Sequence, residues 1–192
     1  MNVVAKRLIA ATENFPQRDM PYLIAVDGRC GAGKTTLGKY LQEIAGWTIF
    51  HMDDFFLRPE QRTKKRLDTP GGNVDYERFL DDVLIPLKRG ESDIVYRPFD
   101  CHKQKMEKPV HIKVKGICLI EGSYSCHPAL WDYYDQKVFL TIDPEEQKRR
   151  IFGRNKGEGA ELFIERWIPL EEQYFSAYGI EKRCDLRFKM NK

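Results

Sequence analysis

The stretch "AVDGRCGAGKTTLGKYL", residues 25–41, sets Gly28, Gly31, Gly33 and Lys34 directly behind an apolar run. Glycine weakens regular structure, so an uncompensated cluster where a strand passes into a helix would be a defect. A phosphate group supplies the compensation. Gly28, Gly33, Lys34 and Thr35 satisfy the Walker A pattern G-x-x-x-x-G-K-[ST] in the strand-to-helix setting it requires. Small residues let successive backbone N–H groups turn onto phosphate oxygens, and the following helix adds its positive N-terminal end. The candidate cradle runs through Gly28, Arg29, Cys30, Gly31, Ala32, Gly33, Lys34, Thr35 and Thr36. Lys34 is placed to reach the β- and γ-phosphates and the Thr35 hydroxyl to ligate Mg²⁺. Cys30 reads as a space-filler, although its place near a helix N-terminus could lower its thiol pKa.

Outward from this loop, strands alternate with helices. "YLIAVDG" reads as a buried strand, and "KTTLGKYLQEIAG" as a helix with Leu37, Leu41 and Ile44 on one face and Gly46 as its stop. "WTIFHMDD", "GICLIEG", "KVFLTID" and "CDLRFKM" read as further core strands. "DYERFLDDVLIPLKRG" carries Phe79, Val83 and Leu87 at helical spacing, and "AELFIERWIPLEEQYFSAYG" reads as continuous helix. Residues 55–73 read as a basic loop, and "DIVYRPFDCHKQKMEKPVHIKV" as short strands or a hairpin outside the main sheet. Short, mostly apolar strands alternating with helices indicate a parallel sheet covered on both faces. Ligands in such sheets gather at the carboxyl ends of strands, where Gly28, Asp53 and Glu121 fall.

Composition narrows the partners. At 192 residues the chain suits one domain with a real core. Thirty-two basic against 29 acidic residues leave a net charge of +3, too small to imply nucleic-acid binding. The five cysteines are scattered, with neither CxxC pairs nor metal-ligand spacing, and read as free thiols in a reducing cytosol. No apolar run approaches the roughly 18 residues of a membrane span. The opening "MNVVAKRLIAATENF" is broken by Lys6 and Arg7, unlike a signal peptide. The expectation is a cytoplasmic protein with neither nucleic-acid nor membrane partners.

The other strand ends bear on where a γ-phosphoryl group would go. Asp53, just past the second strand, can accept the proton of an attacking hydroxyl, or can cap a turn. Asp54 fits the capping role better. Glu121 stands where a Walker B acid belongs and could hold Mg²⁺ through water, or be a solvated strand-end acid. "KRRIFGR" carries Lys148, Arg149, Arg150 and Arg154, with Arg150 and Arg154 one helical turn apart. Such a stripe could close over a nucleotide as a lid, or be a solvated basic face. Two readings of another class remain open. "NKGE", residues 155–158, is faintly similar to the guanine-reading Asn-Lys-x-Asp of nucleotide switches, with Glu158 replacing the aspartate. "RTKKR", residues 62–66, could serve a nucleic-acid substrate but lacks interleaved aromatics.

The motifs "DGRCGAGKTT", "MDDFF", "GNVDYERF", "LIEGSY" and "KRRIFGR", in this order, resemble the uridine kinase-like P-loop kinases. That family includes nicotinamide riboside kinase, phosphoribulokinase and bacterial pantothenate kinase. The resemblance implies an α/β fold, a P-loop NTPase three-layer αβα sandwich with a five-stranded parallel core sheet and a helical lid. It implies a single domain over residues 1–192, with the lid about residues 149–165 and a substrate-side insert about residues 55–112. ATP and Mg²⁺ are the implied cofactors. The implied acceptor is the primary hydroxyl of a small molecule, such as the 5′-hydroxyl of uridine, with nicotinamide riboside or another sugar-like alcohol as the rival. Asp53 takes the role of base, Lys34, Arg150 and Arg154 spread the moving charge, and Asp75 binds ribose hydroxyls. Tyr96 and His102 match residues that read the pyrimidine, or are a packed tyrosine and an exposed histidine; Arg97 is a further candidate substrate contact. Family members form various assemblies, so a homo-oligomer stays open.

Overall fold

A computed structural model describes residues 2–154 and 158–190. Among the described residues nine strands are formed: β1 Leu23–Gly28, β2 Thr48–His51, β3 Asp93–Tyr96, β4 Phe99–Asp100, β5 Lys105–Met106, β6 Val110–Lys113, β7 Cys118–Glu121, β8 Gln136–Thr141 and β9 Leu186–Lys189. Five of them make one wholly parallel sheet in the order β2-β7-β1-β8-β9. All six residues of β1 are buried. The reason is visible in the alternation of its side chains, which point to opposite faces in turn. Leu23 and Ala25 join Phe50, Ile120 and Phe139 in one core, while Ile24 and Val26 join Ile49, Leu119, Val138 and Leu140 in another. Both faces need apolar residues because helices cover both.

The second core is closed by α1 Asn2–Thr12, through Val4, Ala5 and Leu8, and by α2 Lys34–Ala45, through Leu37 and Leu41. Ile44, expected on the same buried face, is 49% exposed. It sits in the last turn of α2, and Trp47, beyond the left-handed Gly46 cap, fills that end of the layer instead. Helix α3 Lys64–Asp68 buries no residue, and α6 Pro144–Arg154 and α7 Glu158–Leu162 join Cys30 in a small third cluster; the first core is closed by α4 Tyr76–Phe79, α5 Ile85–Lys88, α8 Ile168–Tyr178 and α9 Ile180–Arg183. Phe79, Leu87, Tyr174, Phe175 and Ile180 are the residues these helices bury in it.

Two helices expected to be continuous are interrupted. A π-helical turn, Leu80–Leu84, precedes Pro86, and another, Phe163–Trp167, precedes Pro169. Proline lacks the N–H that would continue the ladder and crowds the carbonyl four residues earlier, so a widened turn ahead of it relieves the clash. Phe79, Val83 and Leu87 nevertheless all reach the core as their spacing requires. Residues 93–113 form two small antiparallel sheets outside the main one, β3 with β6 and β4 with β5.

Two glycines set the strand ends against each other. Gly28 has a φ of 134°, and a Cβ there would lie 2.0 Å from the Leu140 carbonyl oxygen. Gly122 has a φ of 142°, and a Cβ there would lie 2.8 Å from the Met52 Cβ and 3.4 Å from Asp53 Oδ1. Strand β1 therefore ends hard against β8, and the chain leaving β7 runs hard against the chain leaving β2. Among the described residues no helix is long and apolar enough to cross a membrane. Gly28→Ala combines a forbidden φ with a backbone clash, so it should cost about 3 kcal/mol or more. Urea unfolding, or loss of soluble protein, measures it.

Candidate active site

The loop after β1 passes through Gly31 (φ 78°) and Gly33 (φ 94°) before α2 begins at Lys34. Gly33 has no side chain to cap the helix, so the first-turn N–H groups stay open for an anion. The Lys34 ammonium folds back over the loop, donating to the carbonyls of Gly28 (2.5 Å) and Arg29 (3.3 Å) and to Ser123 Oγ (3.3 Å). Arg29 does not serve the cradle. Its guanidinium is taken by Glu172, Glu181 and Thr141, and its N–H donates to Leu140 O. Burial, with Glu171 adding its charge, pushes the Cys30 thiol up to about 12, which overturns the expectation of a lowered thiol pKa. A helix terminus lowers a thiol pKa only while water or a cation supports the thiolate.

Carboxylates from two neighbouring strand ends face this loop. Thr35 donates its hydroxyl to Glu121 Oε2 at 3.2 Å, and His51 Nδ1 lies 2.5 Å from Glu121 Oε1. The hydrogen bond to Glu121 raises the His51 pKa against the effect of burial. Asp53 reaches solvent, yet the protein packed around its carboxyl pushes it up to about 6; Glu121 adds to the rise, while Lys34 and His51 oppose it. Asp54 does not cap the turn. It accepts a hydrogen bond from the Tyr96 hydroxyl at 2.7 Å, because β3 lies across that segment.

Behind the site stands Asp27, the last acid of β1 and fully buried. It accepts from the N–H groups of Gly28 (2.7 Å), Tyr124 (3.2 Å) and Cys126 (2.9 Å), and from the Tyr174 hydroxyl (2.9 Å). Burial pushes its carboxyl up to about 6 against the pull of these donors and of Lys34. Sequence reading missed Asp27, His51, Ser123, Glu171 and Tyr174. An acid directly before the first cradle glycine, and a histidine two residues before Asp53, were the available signals. Nothing in "PLEEQYF" separates the buried Glu171 from an ordinary surface acid.

No family model matches the chain. Nicotinamide riboside kinase 2 of Mus musculus is 31% identical over 143 residues, which are 68% of this chain and 67% of that protein. The chain belongs to the uridine kinase-like P-loop kinases. Uridine kinase of Saccharomyces cerevisiae is 26% identical over 166 residues, covering 80% of this chain; the chain spans only 33% of that protein's length. Uridine kinase of Chlamydia pneumoniae is 27% identical over 177 residues, covering 79% of this chain and 75% of its own. Among solved structures, a possible uridine kinase from Bacillus stearothermophilus superposes with a TM-score of 0.70 at 18% identity, covering 98% of this chain and 100% of its own. A D-glycerate 3-kinase from Cryptococcus neoformans superposes at 0.63 and 18% identity, covering 96% of this chain and 92% of its own. These two share the fold of the P-loop kinases.

Within this P-loop kinase fold three of the expected acceptor residues are drawn together by Arg78, whose guanidinium donates to Asp75, to the Arg97 carbonyl (2.8 Å) and to the carbonyl of Asp54 (3.0 Å), the partner of Tyr96. Asp75 is buried and caps α4 through Arg78 N, while its carboxylate also holds Gln61 and the Arg78 guanidinium. Tyr96 is buried with its hydroxyl committed to Asp54. Arg97 is spent on the carbonyls of Glu107 and Met106, and His102 stands in the exposed turn between β4 and β5. Arg150 donates to Glu146, to the loop carbonyl of Gly31 (3.1 Å) and to Met190 O (3.1 Å). Arg154 is exposed, its guanidinium 5.6 Å from the Phe163 ring centre. Of "NKGE", residues 155–157 lie outside the described residues.

Asp27→Asn removes one acceptor oxygen from three backbone donors and should cost about 2 kcal/mol at pH 7 in urea unfolding. The folded pKa lies above the ordinary 3.8, so the folded wild type binds the extra proton. Its advantage over the variant should be flat above pH 6 and grow as the pH falls from 6 toward 4.

Proposed function

We propose that the chain is an ATP- and Mg²⁺-dependent kinase that transfers the γ-phosphoryl group to the primary hydroxyl of a small molecule, namely the 5′-hydroxyl of a nucleoside such as uridine. One observation carries the reading. The open N–H groups ahead of α2, the Thr35–Glu121 pair and the Asp53 carboxylate meet at the carboxyl ends of β1, β7 and β2, three adjacent strands. That neighbourhood suits a phosphate tail, a cation and an acceptor hydroxyl side by side, as phosphoryl transfer needs.

The oxygen donors Thr35 Oγ1 and Glu121 Oε2 suit a hard cation that keeps several waters, and among the described residues no three His, Cys, Asp or Glu side chains form a metal cage. Bound there, Mg²⁺ neutralises charge on the β- and γ-phosphates. The first-turn N–H groups of α2 and the Lys34 ammonium hold the phosphate tail. Asp53, raised to about 6, is a stronger base than an ordinary aspartate and takes the acceptor's proton. Arg150, already against the loop at Gly31, lies where a lid charge is needed, and Ile151 and Ala160 seat the lid on Cys30. Asp75 Oδ2 accepts from Gln61 and the Arg78 guanidinium, so a ribose hydroxyl meets the remaining lone pair of Oδ1, the oxygen that caps α4.

Relatives named uridine kinase and nicotinamide riboside kinase support a ribose-bearing acceptor, others are named pantothenate kinase, and "DDFF" at residues 53–56 favours nicotinamide riboside as the second reading. Radiolabelled ATP with a panel of nucleosides, nicotinamide riboside and non-ribose alcohols tests both. Failure of every ribose-bearing acceptor removes the nucleoside reading. Asp53→Asn should abolish transfer, by about 10²-fold or more, while nucleotide binding by calorimetry is kept. Because the base must be ionised, kcat/KM should fall as the pH drops through about 6; a flat profile from pH 5 to 8 removes Asp53 from that role.

A further inference from the structure

Ser123 follows the constrained Gly122 and occupies the turn that leaves β7. Its hydroxyl donates to Glu171 Oε1, which aims its lone pairs at the Lys34 ammonium 3.3 Å away. Glu171 Oε2 accepts the Cys30 N–H at 3.0 Å. Glu171 is 4% exposed and lies on α8, the helix that also supplies Tyr174 to Asp27. One buried carboxylate thus grips the cradle backbone with one oxygen and, through a serine, the cradle lysine with the other.

A carboxylate buried this deeply is costly unless its oxygens are paired. Here the pairs are the cradle N–H of Cys30 and the hydroxyl of Ser123, which itself meets the cradle lysine. Lys34 has 8% exposure and three acceptors, two of them loop carbonyls that a phosphate would displace. Ser123 is the third, and it lies on a different element from the loop, so it need not move when the loop carbonyls are exchanged.

We infer that Ser123 and Glu171 are positioning residues that hold the Lys34 ammonium at the mouth of the phosphate cradle and fix the loop at Cys30, so that the lysine meets the β- and γ-phosphates without reorganising. The inference rests on the kinase reading of the same loop. Preorganisation of this kind lowers the cost of ordering a long, flexible side chain at the moment of binding.

The test reads nucleotide binding and therefore needs no acceptor. Calorimetry with ATP and with AMP, each with Mg²⁺, is run on wild type, Ser123→Ala, Ser123→Thr, Glu171→Gln and Lys34→Met, with thermal melts to establish that each is folded. Ser123→Ala should weaken ATP by about tenfold and leave AMP unchanged, since AMP lacks the phosphates the lysine reaches. Ser123→Thr keeps the hydroxyl and should restore ATP binding. In a Lys34→Met background, Ser123→Ala should add less than about twofold, because the two residues act as one unit. Glu171→Gln should follow the pattern of Ser123→Ala. Equal losses for ATP and AMP, or full additivity with Lys34→Met, overturn the inference and leave the pair a structural brace. A wild type that binds ATP while Ser123→Ala binds it equally well also overturns it, with the kinase reading intact; a wild type that binds no ATP overturns both.

Discussion

Asp27 is the constraint on which the site depends. Four donors from three separate stretches of chain end on its two oxygens: Gly28 at the start of the cradle, Tyr124 and Cys126 in the turn after β7, and Tyr174 on α8. Such a group cannot be solvated, so its donors must all arrive together or the acid is left buried and unpaired. The turn it holds is strained, with Tyr124 at a φ of 71° that L-residues with large side chains rarely adopt. A buried anion aimed at two N–H groups is what keeps that conformation, and the turn in turn carries Ser123.

From this anchor the geometry of the site follows by contact. Gly28 and Gly122 allow backbones to approach where a Cβ would collide, which draws the ends of β1, β7 and β2 together. Glu121 then reaches both Thr35 and His51, and Asp53 lies against Gly122. The cluster is acidic, and crowding raises Asp53 rather than lowering it. Lys34 and His51 only partly offset Glu121 and the loss of solvent. The acidic cluster and the raised Asp53 carboxyl are two results of one arrangement of charge.

Helix α8 does more than complete a core. Tyr174 and Phe175 pack inward, Glu171 and Tyr174 reach polar groups of the site, and Glu172 ties α8 to Arg29. The cradle is consequently held from behind by a segment more than a hundred residues away in sequence. Helices α6 and α7 meet the same loop at Cys30, which packs with Ile151 and Ala160 and donates its N–H to Glu171.

The sequence by itself determined the cradle and the sheet. Walker A spacing is local, since glycine dihedrals, a lysine and a helix start within ten residues need no distant partner to be read. The strand runs were legible because a sheet covered on both faces demands unbroken apolar stretches, and β1, β7 and β8 have them. Gly46 as a helix stop and Phe79, Val83 and Leu87 as one face followed from periodicity in the same way. Only the tertiary structure decided the use of side chains whose partners are remote. It gave Arg29 to Glu172, Asp54 to Tyr96 and Asp75 to its own helix, and it buried Glu171 while leaving its neighbour Glu172 partly exposed. Local pattern fixes backbone form and burial on one face of an element; which of two adjacent carboxylates meets a donor depends on how elements far apart in the chain come to lie together.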